Sequence, residues 1–475
     1  MRAPDLDRPD WKAPLSEAFD RALRYLEGLP DRPVRSTASL AELRAALGGP
    51  LPEELADPSE VITTLATAAE PGIMPSGSGR YFGFVVGGST PAALAADWLT
   101  SVWDQNAGLY VLGPAASIVE EVAGAWLIEL FGLPPKVSVG FVTGGQMANV
   151  TGLAAARGEM LRRIGWDVEA AGLCGAPPLR VVAGQGRHGT IDRALRFLGL
   201  GTASIVEVDM DAQGRMHSAA LRQVLEQDNA SKNWAPTIVC AQAGNINTGA
   251  IDPIREICDI AHQHGAWVHV DGAFGLWAAV SPRLRPLLAG VELADSWATD
   301  AHKWLNVPYD SGLVFCAHPD AHRAAMGGRA GYLIHGTEGQ RDELDYNPEH
   351  SRRARGFPVY AAIRAMGRRG IAEMVERCCD TASRFADQLA AADGVHVLND
   401  VVLNQVLVRL DAPDGDHAGH TRRVLERLQN EGTCWMSGTT WNGQAAVRIS
   451  VSNWSTNAGD VDRSVAAILR AHTAS

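Results

Sequence analysis

Short β-branched runs alternate with longer helix-like stretches between about residues 80 and 320, and this alternation constrains the fold more than any other feature. The runs include VSVGFVT, LRVVAG, ASIVEVD, PTIVCAQ, WVHVD, DSWAT and GLVFCA. Segments with helical periodicity, such as MANVTGLAAARGEMLRRI and IREICDIAHQHG, lie between several of them. Alternation of this kind is typical of a mostly parallel sheet that helices cover on both faces. The sequence therefore predicts a large α/β domain over residues 79–354.

The segments on either side of this domain have other patterns. Residues 1–78 read as helices, and Leu15, Phe19, Leu23 and Leu26 have helical spacing in a stretch that ends at a glycine and a proline. So short a segment has little core of its own, so we expect it to pack on another domain or subunit. Residues 355–475 predict a smaller α+β domain, with a long helix from Pro358 to about Ala392 followed by strands and helices.

Composition and charge exclude several classes of function. The net charge of −12 argues against nucleic acid or an anionic membrane as the main partner, because phosphate binding requires a basic surface. No apolar run approaches the length of a membrane span, and the first residues contain no signal-like apolar core. The seven cysteines fit reduced thiols, and no CxxC or HExxH motif predicts a metal site. We expect a cytoplasmic protein without a metal.

The first candidate for chemistry is the stretch FVTGGQMANVTG, in which a strand leads through Gly144 and Gly145 into a helix. Backbone N–H groups at such a helix N-terminus can bind a phosphate without a basic side chain. The stretch matches neither the dinucleotide pattern nor the P-loop pattern, and an ordinary strand-to-helix turn would look the same.

Two further candidates are a histidine and an aspartate. His188 lies in a turn before a helix, where it could be a capping residue or could stack on a flat cofactor. Asp271 ends the strand WVHVD, in which alternation places His269 and Asp271 on one face. A carboxylate at the carboxyl end of such a strand lies where open α/β sheets bind ligands, and it could pair with a protonated pyridine nitrogen.

Lys303 lies between His302 and Trp304, after the run DSWATD. A lysine between two such residues is partly desolvated, which favours the free, nucleophilic amine. A surface lysine at a strand end is the alternative. One cofactor, pyridoxal 5′-phosphate (PLP), uses all four features together. Its aldehyde bonds to a lysine and its pyridine nitrogen pairs with a carboxylate. Its flat ring stacks on an imidazole, and its phosphate binds at a helix N-terminus. This convergence favours a PLP site.

The stretches VHVDGAF and DSWATDAHKWLNVPYDSG resemble those of the group II PLP-dependent amino-acid decarboxylases, which include aromatic amino acid, glutamate and diaminobutyrate decarboxylases. The resemblance extends from GRYFGF near residue 80 to RISVSN near residue 450. It implies the aspartate aminotransferase fold (fold type I) and a homodimer whose active sites lie at the subunit interface. It also implies that the N-terminal helical segment wraps around the partner subunit.

The same resemblance implies roles for individual residues. Lys303 would bind the PLP aldehyde as a Schiff base, Asp271 would pair with the pyridine nitrogen and His188 would stack on the ring. The remaining cofactor contacts that it implies are Gly145 and Gln146 at the phosphate, Ala273 against the ring, His302 and Asn247. Tyr332, in a glycine-rich loop of about residues 325–350 that we expect to be mobile, would protonate the substrate α-carbon after CO₂ leaves.

Several positions depart from the family pattern. Asp300 stands where aromatic and glutamate decarboxylases often have asparagine near the phosphate, and a carboxylate there would repel the phosphate unless it faces away or a donor bridges the two. The substrate-lining candidates are Phe82, Phe84, Trp103 and Asn106. Arg448 could bind a substrate carboxylate or stabilise the small domain. These departures leave the substrate side chain open.

The predicted activity is decarboxylation of an L-amino acid to an amine and CO₂. The alternatives with the same cofactor are a carbon–carbon lyase and a decarboxylating, oxygen-using aldehyde synthase. A catalytically silent relative that acts as a regulatory partner is a third reading, and the presence of Lys303, Asp271 and His188 argues against it.

Overall fold

The computed structural model describes residues 10–231, 235–328, 331, 333–337 and 339–474. Its centre is a seven-stranded sheet with the strand order β1-β7-β6-β5-β4-β2-β3. Strand β7 is antiparallel to both of its neighbours, and the other pairings are parallel. The strands are β1 (Ser138–Val142), β2 (Arg180–Gly184), β3 (Ile205–Val208), β4 (Thr237–Gln242), β5 (Trp267–Asp271), β6 (Ser296–Asp300) and β7 (Gly312–Cys316). The predicted mostly parallel sheet is confirmed.

Helices cover both faces of this sheet, and β1, β5, β6 and β7 are buried at every position. Strands that are buried on both faces are mostly apolar, which explains the continuous runs in the sequence, and the buried polar residues His269, Asp271 and Asp300 are exceptions. The helices of this domain are α4 (Pro91–Trp103), α5 (Pro114–Phe131), α6 (Gly145–Arg162), α7 (Val168–Ala171), α8 (Gly189–Phe197), α9 (Ser218–Ser231), α10 (Ile254–Gln263), α11 (Ala301–Trp304) and α12 (Pro319–Met326).

Three helices precede this domain: α1 (Lys12–Gly28), α2 (Leu40–Leu47) and α3 (Pro58–Ala69). Their starts follow standard capping chemistry, since Ser39 and Glu42 form a capping box and Asp57 caps α3. None of these three helices buries a residue within the single chain. The N-terminal segment therefore presents apolar side chains that the single chain leaves about half exposed, such as Leu15 at 53% and Phe19 at 50%.

The C-terminal part packs two helices and one long helix around a second, antiparallel sheet with the order β10-β11-β9-β8. The long helix α13 (Gly356–Ala390) is interrupted at Gly367, where φ is 61° and ψ is 175°. The predicted helix was continuous, so the interruption is a difference from the sequence interpretation. The other elements are β8 (Val395–Val397), β9 (Gln405–Leu410), α14 (His417–Glu431), β10 (Ser437–Trp441), β11 (Gln444–Ser450) and α15 (Ala458–Thr473). The smaller α+β domain is confirmed.

None of the helices in the described part of the chain combines the length and the apolar character needed to cross a membrane.

Candidate active site

A cavity of about 250 Å³ opens at the carboxyl ends of the parallel strands, where open α/β sheets bind ligands. Four chain segments that are distant in sequence meet there: the β1–α6 turn, the start of α8, the end of β5 and the start of α11. The residues that line the cavity are Gly144, Gly145, Gln146, Asn149, His188, Thr190, Gln242, Gly244, Ile246, Asp271, Ala273, Phe274, Asp300, His302 and Lys303.

The glycine turn forms one end of the cavity. Helix α6 begins at Gly145, so the backbone N–H groups of its first turn have no partner within the helix. A side chain could not be added at Gly145 without contact, because its Cβ would lie 2.7 Å from Oδ2 of Asp300. The amide of Gln146 is held by a hydrogen bond from Nε2 to the carbonyl oxygen of Thr190, 3.2 Å away. The predicted strand–turn–helix is present, with a helix N-terminus that faces the cavity.

His188 is the N-cap residue of α8, and its Nδ1 accepts a hydrogen bond from the backbone N–H of Thr190. The capping role and the place at the cavity therefore coexist in one residue. Surrounding protein atoms lower the pKa of His188 by desolvation, although an edge of the ring is open to the cavity. A ring of lowered pKa is a neutral imidazole near pH 7, which suits stacking on an aromatic ring.

Asp271 is held from two sides at the end of β5. Its Oδ1 accepts from the backbone N–H of Ala273 at 3.2 Å, and its Oδ2 accepts from Nδ2 of Asn149 at 3.2 Å. The Oδ1 atom of Asn149 lies 2.9 Å from Nε2 of His269. Both His269 and Asp271 thus contact Asn149, which confirms that they lie on one face of the strand.

His269, the second partner of Asn149, belongs to a chain of hydrogen bonds whose direction is fixed. Trp267 donates from Nε1 to Oγ of Ser296, and Nδ1 of His269 lies 2.8 Å from the same hydroxyl. Because Oδ1 of Asn149 can only accept, His269 donates to it from Nε2, and Nδ1 of the neutral ring then accepts from the hydroxyl of Ser296. Burial lowers the pKa of His269 to about 4, so the ring is neutral at pH 7. The chain therefore presents the amide of Asn149 to Asp271 in a single orientation.

Lys303 lies on α11, a single helical turn after β6. Its side chain is 20% exposed, and Nζ is 2.8 Å from Oδ2 of Asp300. Asn306 ends this turn with φ at 56°, and its side chain donates to the carbonyl oxygens of Trp304 and Ser452, each 3.0 Å away. Asparagine tolerates this left-handed conformation better than most residues. Through its hydrogen bond to Ser452, Asn306 links the lysine turn to the small domain.

His302 points into the same cavity. Its Nδ1 accepts from the backbone N–H of Ser311 at 3.2 Å, and its ring lies 4.2 Å from that of Tyr309, centroid to centroid. Burial lowers the pKa of His302.

The structure brings together most of the predicted cofactor residues: Gly145, Gln146, His188, Asp271, Ala273, His302 and Lys303 all line the cavity. Asn247 is not among the lining residues of the described chain, because its Oδ1 accepts a hydrogen bond from Thr439 of the small domain. Tyr332 lies outside the described residues.

The four substrate-lining candidates are also away from this cavity within the single chain. Phe82 is fully buried and packs edge to face against Phe385, and Trp103 packs against Phe357. Phe84 is 56% exposed and stacks on Trp435. Asn106 accepts a hydrogen bond from the backbone N–H of Gly108. Their substrate roles stay predictions, and for the fully buried Phe82 contact with a substrate would require the surrounding core to open.

The sequence interpretation missed Asn149, Thr190, Gln242 and Phe274, which also line the cavity. A signal existed for Asn149 alone, because it follows Gly145 by four residues and so lies on the same face of α6. The others depend on how separate loops pack, and local spacing does not reveal that.

Comparison with known proteins assigns the family. The family model described as the pyridoxal-dependent decarboxylase conserved domain matches residues 42–411. This chain belongs to the pyridoxal-dependent decarboxylase family. It is a PLP-dependent amino-acid decarboxylase, a carboxy-lyase, as the sequence predicted.

Individual relatives agree with this assignment. The aromatic-L-amino-acid decarboxylase of Bacillus atrophaeus is 26% identical over 444 residues, which cover 92% of this chain and 90% of the relative. The 4-hydroxyphenylacetaldehyde synthase of Rhodiola rosea is 26% identical over 460 residues, which cover 93% and 91%. Among solved structures, the Oryza sativa TDC with PLP and tryptamine has a TM-score of 0.92 and 25% identity, covering 100% of this chain and 99% of that one.

The cavity fits PLP on its own geometry. It offers a helix N-terminus for a phosphate, a buried carboxylate whose orientation is fixed, an imidazole at the rim and an amine 20% exposed. The small side chain of Ala273 leaves room for a flat ring against the strand end.

Proposed function

We propose that Lys303 attaches the cofactor in this decarboxylase, that Asp271 pairs with its pyridine nitrogen and that His188 stacks on its ring. The observation that supports this proposal is that the three side chains that these tasks need all line one cavity, together with the N-terminus of α6. Gly145 and Gln146 would bind the phosphate through this N-terminus.

When bound, PLP supplies an electron sink for the pair left behind as the bond between the α-carbon and the carboxylate breaks. The protein's part is to bind and orient. Asp271, which Asn149 and Ala273 hold in place, would keep a proton on the pyridine nitrogen. His188 and Ala273 would hold the ring, and the walls of the cavity would orient the substrate and so select the bond that breaks.

A substrate panel tests the activity and finds the substrate. Purified protein with PLP meets each common amino acid and diaminobutyrate in turn, and mass spectrometry follows CO₂, amine, aldehyde and ammonia. We expect CO₂ and amine in equal amounts from one compound, and no turnover with Lys303→Ala. Retained turnover in Lys303→Ala would contradict the role given to this lysine.

We further propose that Tyr332 gives the α-carbon its proton after CO₂ leaves. The proposal is supported by the resemblance alone, and it distinguishes the decarboxylase from the aldehyde synthase that occurs among the relatives. Tyr332→Phe removes the proton donor and keeps the ring. We expect less amine per CO₂ and more aldehyde and ammonia. An unchanged ratio of amine to CO₂ would give the protonation to another group.

We propose that the active protein is a homodimer of this chain, with the active site at the subunit interface and the segment 1–78 covered by the partner subunit. The support is exposed apolar surface in the single chain: α1 presents Leu15 at 53% and Phe19 at 50%, and α3 presents Val61 at 48% and Leu65 at 53%. A soluble chain seldom leaves so many apolar side chains together in water. The division into segments 1–78, 79–354 and 355–475 belongs to the same proposal.

We also propose a cytoplasmic location. All seven cysteines are free thiols and six of them are buried, as expected in a reducing compartment.

A further inference from the structure

Asp300 is a buried carboxylate at the phosphate end of the cavity. The residue is 2% exposed. Its Oδ1 accepts a hydrogen bond from the backbone N–H of Gly145, the first residue of α6, and lies 3.4 Å from Nε2 of His302. Its Oδ2 lies 2.8 Å from Nζ of Lys303. One carboxylate thus contacts the helix N-terminus and the lysine at the same time.

Both of these groups also have a proposed role in binding the cofactor. The amide of Gly145 is one of the donors that would bind a phosphate, and the amine of Lys303 is the group that would bond to the aldehyde. In this structure the carboxylate of Asp300 occupies the helix N-terminus at which the cofactor phosphate would bind. The amine of Lys303 lies beside it, 2.8 Å from Oδ2.

The backbone around Asp300 limits how far the carboxylate can retreat. The N–H of Asp300 donates to the carbonyl oxygen of Ala273 at 2.9 Å, and its own carbonyl oxygen accepts from Nε1 of Trp277 at 2.9 Å. Asp300 also pairs with Gly312 in the ladder between β6 and β7. The strand end is therefore fixed, so the carboxylate can move away from the turn of α6 only by rotation of its own side chain.

We propose that Asp300 is an internal competitor of the cofactor phosphate: it occupies the N-terminus of α6 and holds Lys303 until the cofactor enters, and it thereby weakens the binding of PLP. The inference rests on the proposed roles of Lys303 and Gly145. A phosphate with nearly two negative charges and a carboxylate repel each other strongly where little water separates them. An asparagine would keep the oxygen that accepts from Gly145, remove the charge and offer an amide donor to the phosphate.

The test compares PLP with pyridoxal, which has the aldehyde and the ring but no phosphate. Both compounds are titrated into apo protein, and the visible absorbance of the lysine-bound cofactor gives two dissociation constants. Release of Lys303 from Asp300 affects both compounds, whereas competition for the helix N-terminus affects PLP alone. In Asp300→Asn we expect the ratio of the pyridoxal constant to the PLP constant to rise on the order of tenfold or more.

The matched control is Asp320→Asn. Asp320 is 94% exposed and pairs with Arg323 on the surface of α12, so this variant removes the same charge far from any buried contact. We expect it to leave the ratio unchanged. A similar rise in both variants would overturn the proposal, because it would reflect net charge rather than the contact at Gly145.

An unchanged or lower ratio in Asp300→Asn would also overturn the proposal, since the carboxylate would then support the phosphate site. Asp300→Ser provides a second neutral variant, and we expect a change in the same direction. If neither variant folds, the carboxylate is a structural requirement and the proposal is wrong. Failure of the wild-type protein to bind either compound through lysine would instead contradict the role of Lys303, so the two failures are distinguishable.

Discussion

Asn149 contributes to the active site although it reacts with nothing. It is fully buried, and its amide joins Oδ2 of Asp271 to Nε2 of His269. Replacing it by the isosteric leucine leaves Nε2 of His269 without its acceptor and removes the Asn149 donor from Oδ2 of Asp271, both in a buried environment. We expect Asn149→Leu to lower the free energy of unfolding by about 1–3 kcal/mol and kcat by up to about 100-fold, since Asp271 loses its fixed orientation.

Urea denaturation and steady-state kinetics check this prediction, and Thr151 on the same helix supplies the control. Thr151 is equally buried, and its hydroxyl has no hydrogen-bond partner among the described residues. We expect Thr151→Val to leave both quantities nearly unchanged. Equal losses in the two variants would mean that packing of α6, and not the amide of Asn149, is what matters.

His269 predicts a dependence of stability on pH. Burial lowers its pKa from 6.5 to about 4. Between these two values the unfolded chain binds a proton that the folded chain does not, so stability rises with pH and is lost as the pH falls below 6.5. The loss from this residue reaches about 2 kcal/mol at pH 5.

The measurement is urea denaturation of the wild type and of His269→Gln at pH 7 and pH 5. Glutamine keeps a polar side chain but does not titrate, and the other titrating groups are common to both proteins. We expect the wild type to lose more stability than the variant between the two pH values. Parallel losses would show that His269 is not protonated on unfolding in this range.

At the scale of residues, the sequence was informative where the chemistry depends on residue type at a strand end. Lys303, Asp271 and His188 were predictable because each follows a run that reads as a strand or precedes a helix. The contacts of Asn149 with Asp271 and of Gly145 with Asp300 were not, because each joins segments more than 100 positions apart. Such contacts depend on the order of strands in the sheet, which local patterns do not encode.

At the scale of elements, the interrupted helix α13 connects the two domains. Before Gly367, Phe357 packs against Trp103 of α4 and Tyr360 stacks on Trp126 of α5; after it, Arg384 pairs with Asp462 of α15. Gly367 interrupts the helix between these two sets of contacts. Nothing lies within 4 Å of a Cβ built at Gly367, so space does not require glycine there. The positive φ of 61° does.

Gly367→Ala should therefore destabilise the protein through the backbone alone. We expect a loss of about 1–3 kcal/mol, because residues with a side chain rarely adopt this conformation. Gly370→Ala, three residues later in the same helix, has an ordinary helical φ and should cost less, although its Cβ would lie 3.2 Å from Cβ of Met366. Thermal unfolding of both variants checks the prediction, and a smaller loss at Gly367 than at Gly370 would contradict it.

At the scale of the whole molecule, the N-terminal helices of the single chain lack a buried face. Clusters of buried apolar residues fill the large domain and extend into the small one, whereas α1, α2 and α3 bury no residue. Sequence periodicity predicted that this segment is helical, and its small core predicted that it packs on another domain or subunit. It could not say which face is covered, because that depends on a surface that two copies would build together.

Val61 and Leu65 give the sharpest test of the dimer, because they lie one turn apart on α3 and are 48% and 53% exposed. In a symmetric dimer each substitution occurs twice, so Val61→Glu with Leu65→Glu would place four charges at a buried interface. We expect the dimer dissociation constant to rise by at least about tenfold, measured by light scattering over a dilution series. Activity per chain should fall at the same concentrations, since the proposed active site lies at the interface.

Leu287→Glu, at an exposed leucine of the large domain, is the control. Dissociation of the double variant with full activity would show that the dimer forms but that one chain suffices for catalysis, and an unchanged dimer would move the interface to another surface.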